Sequence, residues 1–301
     1  DPDAGIVDDH FLPFIYELDA REEWEDERCW PKANPGLGTI KNIRQLRDKV
    51  RKAQQSPDLQ RNLLCKEFNI RETSGGSWLS FDDINNETAF DVTELRPRYG
   101  VGGADLSSTD DLTAACVIFM LPECSDIYVI PMFWIPADLV ERHINEDKVR
   151  YDIWIDKGWV RTCPGNRINP DAVREWFLEV QSEYDIYLNL VGYDSWSAEL
   201  WVNEMKRSFG DSTMRPVIQG KKTLSNPMKM LAKDLQAHKI IYNNNGVLKW
   251  CMANTCVDED RNGNIQPIKS RKPTQRIDGL AALLDAYTVL QDNLNDYLSV
   301  I

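Results

Sequence analysis

Over residues 1–95 the apolar positions keep few sustained periods. Residues 11–18 (FLPFIYEL) predict a short apolar strand with Pro13 near its start, and an acidic stretch leads from it into the turn-rich run WPKANPGLG at 30–38. Ile40, Ile43, Leu46 and Val50 then keep the three-to-four-residue spacing of an amphipathic helix that ends before Ser56, Pro57 and Asp58. Ser74, Gly75, Gly76 and Ser77 mark a loop, and residues 85–97 are polar and weakly patterned, which sets a domain boundary near residue 95.

Beyond that boundary the pattern turns regular. Residues 99–105, 113–121 and 127–135 are rich in β-branched and aromatic side chains and predict three successive strands. Asp171 stands where it would cap a helix whose apolar face is Val173, Trp176, Phe177 and Val180; a strand at 186–193 and a helix at 197–209 follow. A short strand is expected at 215–219 and a helix through Leu224, Met228, Leu231 and Leu235. Another short strand at 239–242 precedes a last helix at 277–291, with Leu280, Ala281, Leu284 and Thr288 facing inward. Strands in a meander, then strands alternating with helices, describe a mixed α/β sheet flanked by helices and preceded by an irregular linker segment.

With 301 residues, 42% hydrophobic and 28% charged, the chain is a globular protein able to bury roughly three quarters of its unfolded surface. No apolar run nears the length of a membrane span, so no membrane partner is expected. Its start has no signal-peptide pattern and no initiator Met, as expected of a piece of something longer or of a processed product. The net charge of −13 taken alone argues against nucleic acid, but that charge is unevenly spread and most of the chain is close to neutral. Residues 1–30 hold eleven Asp and Glu against Arg21 and Arg28 and so carry −9, leaving −4 for the other 271 residues. The seven cysteines lack zinc-site spacing and are read as free, mostly buried thiols of a reducing compartment.

Three aspartates occupy suggestive places: Asp105 and Asp194 end the first and fourth main strands, and Asp278 opens the last helix. Ligands gather at the carboxyl ends of strands in open α/β sheets, and three carboxylates in one cleft would call for Mg²⁺ or Mn²⁺. An Asp at a strand end also commonly serves a turn or a cap, so spacing leaves both roles open. The residues around the aspartates go further. GADLSSTDDLTA at 103–114, GYDSW at 192–196 and RIDGLAA at 276–282, with VLKWCMAN at 247–254 and PIK at 267–269, occur in the order of a known nuclease. Together they resemble the nuclease domain of the large terminase subunit of tailed bacteriophages over about residues 96–292. WPKANPGLG is similar to the end of that family's ATPase region.

The resemblance implies a ribonuclease H-like fold and a division into the tail end of an ATPase region (1–38), a linker with an amphipathic helix (39–95) and a nuclease domain (96–301). It implies that Asp105, Asp194 and Asp278 hold two Mg²⁺ or Mn²⁺ ions, which hydrolyse concatemeric viral DNA with little sequence preference. It further implies double-stranded DNA, the small terminase subunit and the portal as partners, and the host cytoplasm during viral assembly as the location. Asp285, seven residues after Asp278 on one helical face, and Asp110 are candidate fourth ligands, and Ser107 is placed to hydrogen-bond one. Lys269, Arg271, Lys272 and Arg276 form the densest basic cluster beside this site and are expected to contact DNA. Lys221 and Lys222, with Lys229 and Lys233, offer a second patch, and the turn at 260–264 is expected to project towards DNA. His10, His143 and His238 are read as structural or exposed. No P-loop occurs, since Gly220, Lys221, Lys222 and Thr223 lack its pattern, so ATP hydrolysis is not expected. Two alternatives remain at this point: a sugar-kinase-like or actin-like nucleotide site around residues 103–109, and a non-catalytic docking module whose acidic face binds packaging proteins.

Overall fold

The computed structural model describes residues 12, 14–71, 77–106, 112–195, 199–269 and 275–301. It divides into two compact units, Asp1–Gly75 and Gly76–Ile301.

The first unit is helical: a 3₁₀ turn at Arg21–Glu25, then α1 (Trp30–Ala33), α2 (Ile43–Ala53) and α3 (Pro57–Phe68). The Asn42 side chain accepts from the Arg44 and Gln45 backbone N–H groups and so starts α2, while Arg51 and Lys52 in its last turn complement the helix dipole. α3 carries Pro at its first position and ends at Asn69 in the left-handed conformation, φ 57°. Leu46, Val50 and Ala53 of α2 pack with Leu63, Leu64 and Phe68 of α3 and with Trp24 and Trp30. The Trp30 indole N–H donates to the Trp24 carbonyl at 2.8 Å. Three sequence expectations change here. Residues 14–18 form no strand, and Leu12, Phe14, Ile15 and Tyr16 are exposed. Ile40 is 93% exposed because the Asn42 cap starts the helix after it. The stretch expected to be a linker instead supplies most of a core through α2 and α3.

The second unit begins at Gly76, ahead of the boundary expected near residue 95, because Leu79 and Ile84 are buried in its core. α4 (Phe81–Ile84), fixed by a Ser80/Asp83 capping box, and α5 (Val92–Leu95) precede β1 (Tyr99–Asp105), β2 (Thr113–Phe119) and β3 (Ile127–Pro136). Then come α6 (Val140–Asp147), α7 (Tyr151–Asp156), β4 (Val160–Cys163), α8 (Asp171–Tyr184), β5 (Tyr187–Asp194), α9 (Glu199–Phe209) and β6 (Met214–Val217). The chain continues through α10 (Lys221–Gln236), β7 (Ile240–Ile241), α11 (Gly246–Asn254), the hairpin β8 (Thr255–Glu259) and β9 (Ile265–Lys269), α12 (Asp278–Asp292) and α13 (Leu294–Val300). The predicted cap of α8 shifts by one: Pro170 is the N-cap, and Asp171 lies in the first turn, paired with Arg174 at 2.6 Å.

The central sheet runs β4-β3-β2-β1-β5-β6, with β7 beside β3. β1, β2 and β3 form an antiparallel meander, while β5 and β6 extend it in parallel from β1. This is the ribonuclease H-like mixed sheet flanked by helices that the resemblance implied. The period-2 rule assigns its two faces. Ala114, Cys116 and Ile118 of β2 join the core under α10, α11 and α12; Ala115 and Val117 join the opposite core with Trp176, Phe177 and Val180 of α8 and Trp201 and Met205 of α9.

Candidate active site at the strand ends

Two glycines in register set the geometry. β1 and β5 are parallel neighbours with Gly103 opposite Gly192 and Ala104 opposite Tyr193, so Asp105 and Asp194 end adjacent strands side by side. A Cβ on Gly103 would lie 2.1 Å from the Ala282 carbonyl oxygen, and one on Gly192 would lie 2.4 Å from that of Asp285. α12 therefore rests on both strands with its backbone, a closeness only glycine permits. Side chains two apart on a strand share a face, so Asp105 and Asp194 stand on the same face as the glycines and α12. Of the nucleotide-turn alternative at 103–109, residues 107–109 lie outside the described residues, and the space a side chain would take at Gly103 is filled by α12.

α12 brings two carboxyls to this face. Asp285 is buried, 2% exposed, and its Oδ1 accepts from the Gln219 Nε2 at 3.0 Å. Burial holds its carboxyl well above the usual carboxylate range; Gln219 opposes that, and the charges of Asp105 and Asp194 add to it. Asp278 opens the helix and is 5% exposed. Burial pushes the Cys251 thiol up, and the charges of Asp278 and then Asp105 push it further. Asp105 is thus felt at both ends of a helical segment that advances about 10 Å from Asp278 to Asp285, at 1.5 Å per residue.

This donor set is carboxylate oxygen alone, the chemistry of a hard divalent cation, and its crowded negative charge suits one. Among the described residues, however, no group of three His, Cys, Asp or Glu side chains is drawn close enough to hold an ion. The residues fit a metal by chemistry and charge.

The other site candidates divide. Asp110, Ser107, Arg271 and Lys272 lie outside the described residues. Lys269 is exposed at the end of β9 and Lys222 is exposed on α10, whereas Lys221 pairs with Asp258 at 2.8 Å and Lys229 donates to the Gly263 carbonyl. The 260–264 turn is closed by Asp260, which accepts from the Asn262 and Asn264 backbone and from the Asn264 amide. Arg276 is corrected: it does not join Lys269 on a surface. Its guanidinium is buried, with Nε 3.2 Å from Asp147 Oδ2 and Nη2 2.8 Å from His143 Nδ1. His143 is structural, as expected, and burial and the Arg276 charge lower its pKa; the imidazole is neutral and Nδ1 accepts from Arg276. All seven cysteines are free thiols. Sequence reasoning missed Gln219 and Asp147. Gln219 was legible only as the last residue of the short strand expected at 215–219, which ends at Val217, whereas Asp147 lies on α6, a helix its pattern did not reveal.

A family model described as the terminase large subunit, endonuclease domain, matches residues 5–293. The terminase large subunit of Enterobacteria phage HK97 is 26% identical over 278 residues, covering 92% of this chain and 54% of that protein. Protein YmfN of Escherichia coli (strain K12) is 23% identical over 301 residues, covering 94% and 64% respectively. Thus the chain spans about half to two thirds of the length of these relatives. The crystal structure of the HK97 bacteriophage large terminase superposes with a TM-score of 0.61 at 24% identity, over 93% of this chain and 57% of that one, a likeness of fold.

Proposed function

This chain belongs to the terminase large subunit endonuclease-domain family, and from that premise we propose that it is a divalent-metal-dependent endonuclease that cuts concatemeric viral DNA during packaging. The observation that carries the reading is the register of Gly103 with Gly192, which ends two strands in Asp105 and Asp194 against a helix bearing Asp278 and Asp285. In this reading Asp105, Asp194 and Asp278 would hold the metal, and Asp285 would be a buried acid held by Gln219 that feels the charges of Asp105 and Asp194. Two ions, when bound, would supply Lewis-acid activation of a water and charge neutralisation at the leaving 3′ oxygen. Negative charge gathered at two neighbouring strand ends is of the sign that a bound cation offsets. The exposed Lys269 and Lys222, with Arg271 and Lys272, would hold the phosphate backbone by charge, without reading bases, in keeping with little sequence preference. Double-stranded DNA, the small terminase subunit and the portal in the host cytoplasm complete the proposal. No helix among the described residues is long and apolar enough to cross a membrane.

The test is nicking of supercoiled plasmid in Mn²⁺ or Mg²⁺ against chelator. Asp105→Asn, Asp194→Asn and Asp278→Asn should each abolish metal-dependent nicking while far-UV circular dichroism stays unchanged. Double variants should be no worse than single ones, because ligands of a shared cluster act as a unit. Substantial activity in any two of the three single variants rejects the assignment.

A further inference from the structure

The start of α12 lacks the local device that usually fixes a helix end. Its N-cap is Ile277, which makes no side-chain cap hydrogen bond, although the next residue is Asp278. Long-range contacts stand in its place. The Arg276 carbonyl accepts from the Asn254 amide of α11 at 3.2 Å. The Arg276 side chain reaches α6, where Asp147 Oδ2 accepts from its Nε at 3.2 Å and His143 Nδ1 accepts from its Nη2 at 2.8 Å. Tyr151 of α7 donates to the same Asp147 oxygen at 2.8 Å. The Arg276, Asp147 and His143 side chains are 8%, 1% and 3% exposed, so this is a sealed network that no DNA phosphate reaches. One residue after Asp278, Gly279 closes the seam against Phe133 and the Cys251 sulfur, where a Cβ would lie 2.8 and 3.2 Å away.

We infer that Arg276 is a positioning residue: anchored to Asp147, His143 and Asn254, it fixes the first turn of α12 and thereby holds the Asp278 carboxylate at the strand ends. The inference rests on the reading of Asp278 as a metal ligand. The physical case is that of groups behind a metal ligand, which orient it without touching the metal and whose loss costs about 10- to 100-fold in metal affinity or activity. A guanidinium suits the task because its planar fork serves two acceptors at once in a fixed geometry, which an ammonium does not reproduce.

The experiment compares wild type, Arg276→Ala, Arg276→Lys and Asn254→Ala in the full chain by three readouts: Mn²⁺ affinity by calorimetry, kcat and KM for plasmid nicking, and the salt dependence of DNA binding. Arg276→Ala is expected to weaken Mn²⁺ binding and lower kcat by about 10- to 100-fold, with KM for DNA and the salt slope unchanged. Arg276→Lys is expected to recover part of both losses. Removing a buried ion-pair partner is costly enough that Arg276→Ala could fail to fold; Asn254→Ala, which frees only the backbone carbonyl, then carries the test and should weaken Mn²⁺ binding in a folded protein. Wild-type Mn²⁺ affinity and kcat in a folded Arg276→Ala, or in Asn254→Ala where the first does not fold, would overturn the inference while leaving the endonuclease reading intact. A lowered salt slope with unchanged Mn²⁺ affinity would overturn it too, by making Arg276 a DNA contact. A wild type that neither binds Mn²⁺ nor nicks DNA refutes the endonuclease reading and this inference together.

Discussion

Substitution of Gly103 by alanine tests how the site is built, because it adds a single carbon at the place where helix and sheet touch. That carbon would lie 2.1 Å from the Ala282 carbonyl oxygen and 2.7 Å from both the Cβ and the backbone nitrogen of Ala286. A carbon approaches a carbonyl oxygen to about 3.3 Å, so α12 must withdraw from β1 by roughly 1 Å. The obstacle is helix backbone, and no side-chain rotation relieves it. Overpacking of this kind costs about 1–3 kcal/mol, and the upper end is expected here because the withdrawal also loosens Cys116 of β2, whose thiol donates to the same carbonyl at 3.6 Å. For a unit of this size each kcal/mol lowers the melting temperature by about 2–4 °C. Catalysis should suffer more than stability. Asp278 and Asp285 ride on α12 while Asp105 and Asp194 stay on the sheet, and a displacement of about 1 Å can cost 100-fold in rate. Urea unfolding paired with plasmid nicking measures both. A Gly103→Ala protein with less than about 0.5 kcal/mol lost and full activity would refute the claim that α12 rests on β1 through this glycine.

Two further outcomes are expected. Asp285→Asn should stabilise the protein at neutral pH in chelator: the folded carboxyl titrates above its ordinary value of 3.8, so its contribution is fully present below that value and is lost as pH rises through the folded pKa, a loss the amide does not share. Stability curves of wild type and variant should therefore meet under acid conditions and separate above them, and curves that stay parallel from acid to neutral pH would contradict the raised pKa. Alanine at Lys269, Arg271 and Lys272 together should reduce the slope of log affinity for DNA against log salt by about three, whereas Arg276→Ala should leave it unchanged; an unaltered slope in the triple variant would assign those cations to a solvated surface.

The sheet was legible because each of its long strands carries its own signal. β2 and β3 are rich in β-branched and aromatic residues, β1 and β5 are short apolar and glycine-containing runs that each end in an aspartate, and α8, α10 and α12 show their apolar faces at helical spacing. What escaped has little period to show. β4 is a four-residue strand with two exposed positions, and α6 and α7 are short helices whose surroundings decide their form. The first unit was misread for a related reason. Trp24 and Trp30 carry its core from outside any long helix, so an apolar pattern read one element at a time assigns α2 to a linker and makes a strand of residues 11–18, which residues 14–18 do not form.

The candidate site shows where such reading stops in principle. Asp105, Asp194 and Asp278 could be singled out because strand ends and helix starts are positions a sequence marks. Asp285 looked like one member of a polar stripe, and its burial became visible only once Gly192 placed its backbone against β5. Arg276 went the other way. A cation close in sequence to Lys269, Arg271 and Lys272 looks like part of their surface, yet its partners, Asp147 and His143, stand more than a hundred residues earlier on a helix the pattern hid. Charge counted along a chain assumes that neighbours in sequence share a solvent environment. A buried ion pair breaks that assumption, since the cost of taking a guanidinium out of water is met only by partners that the fold brings from elsewhere. The same fact gives Arg276 its meaning: a charge that cannot leave Asp147 without a large penalty makes a firmer anchor for the start of α12 than an exposed cap whose hydrogen bond competes with water.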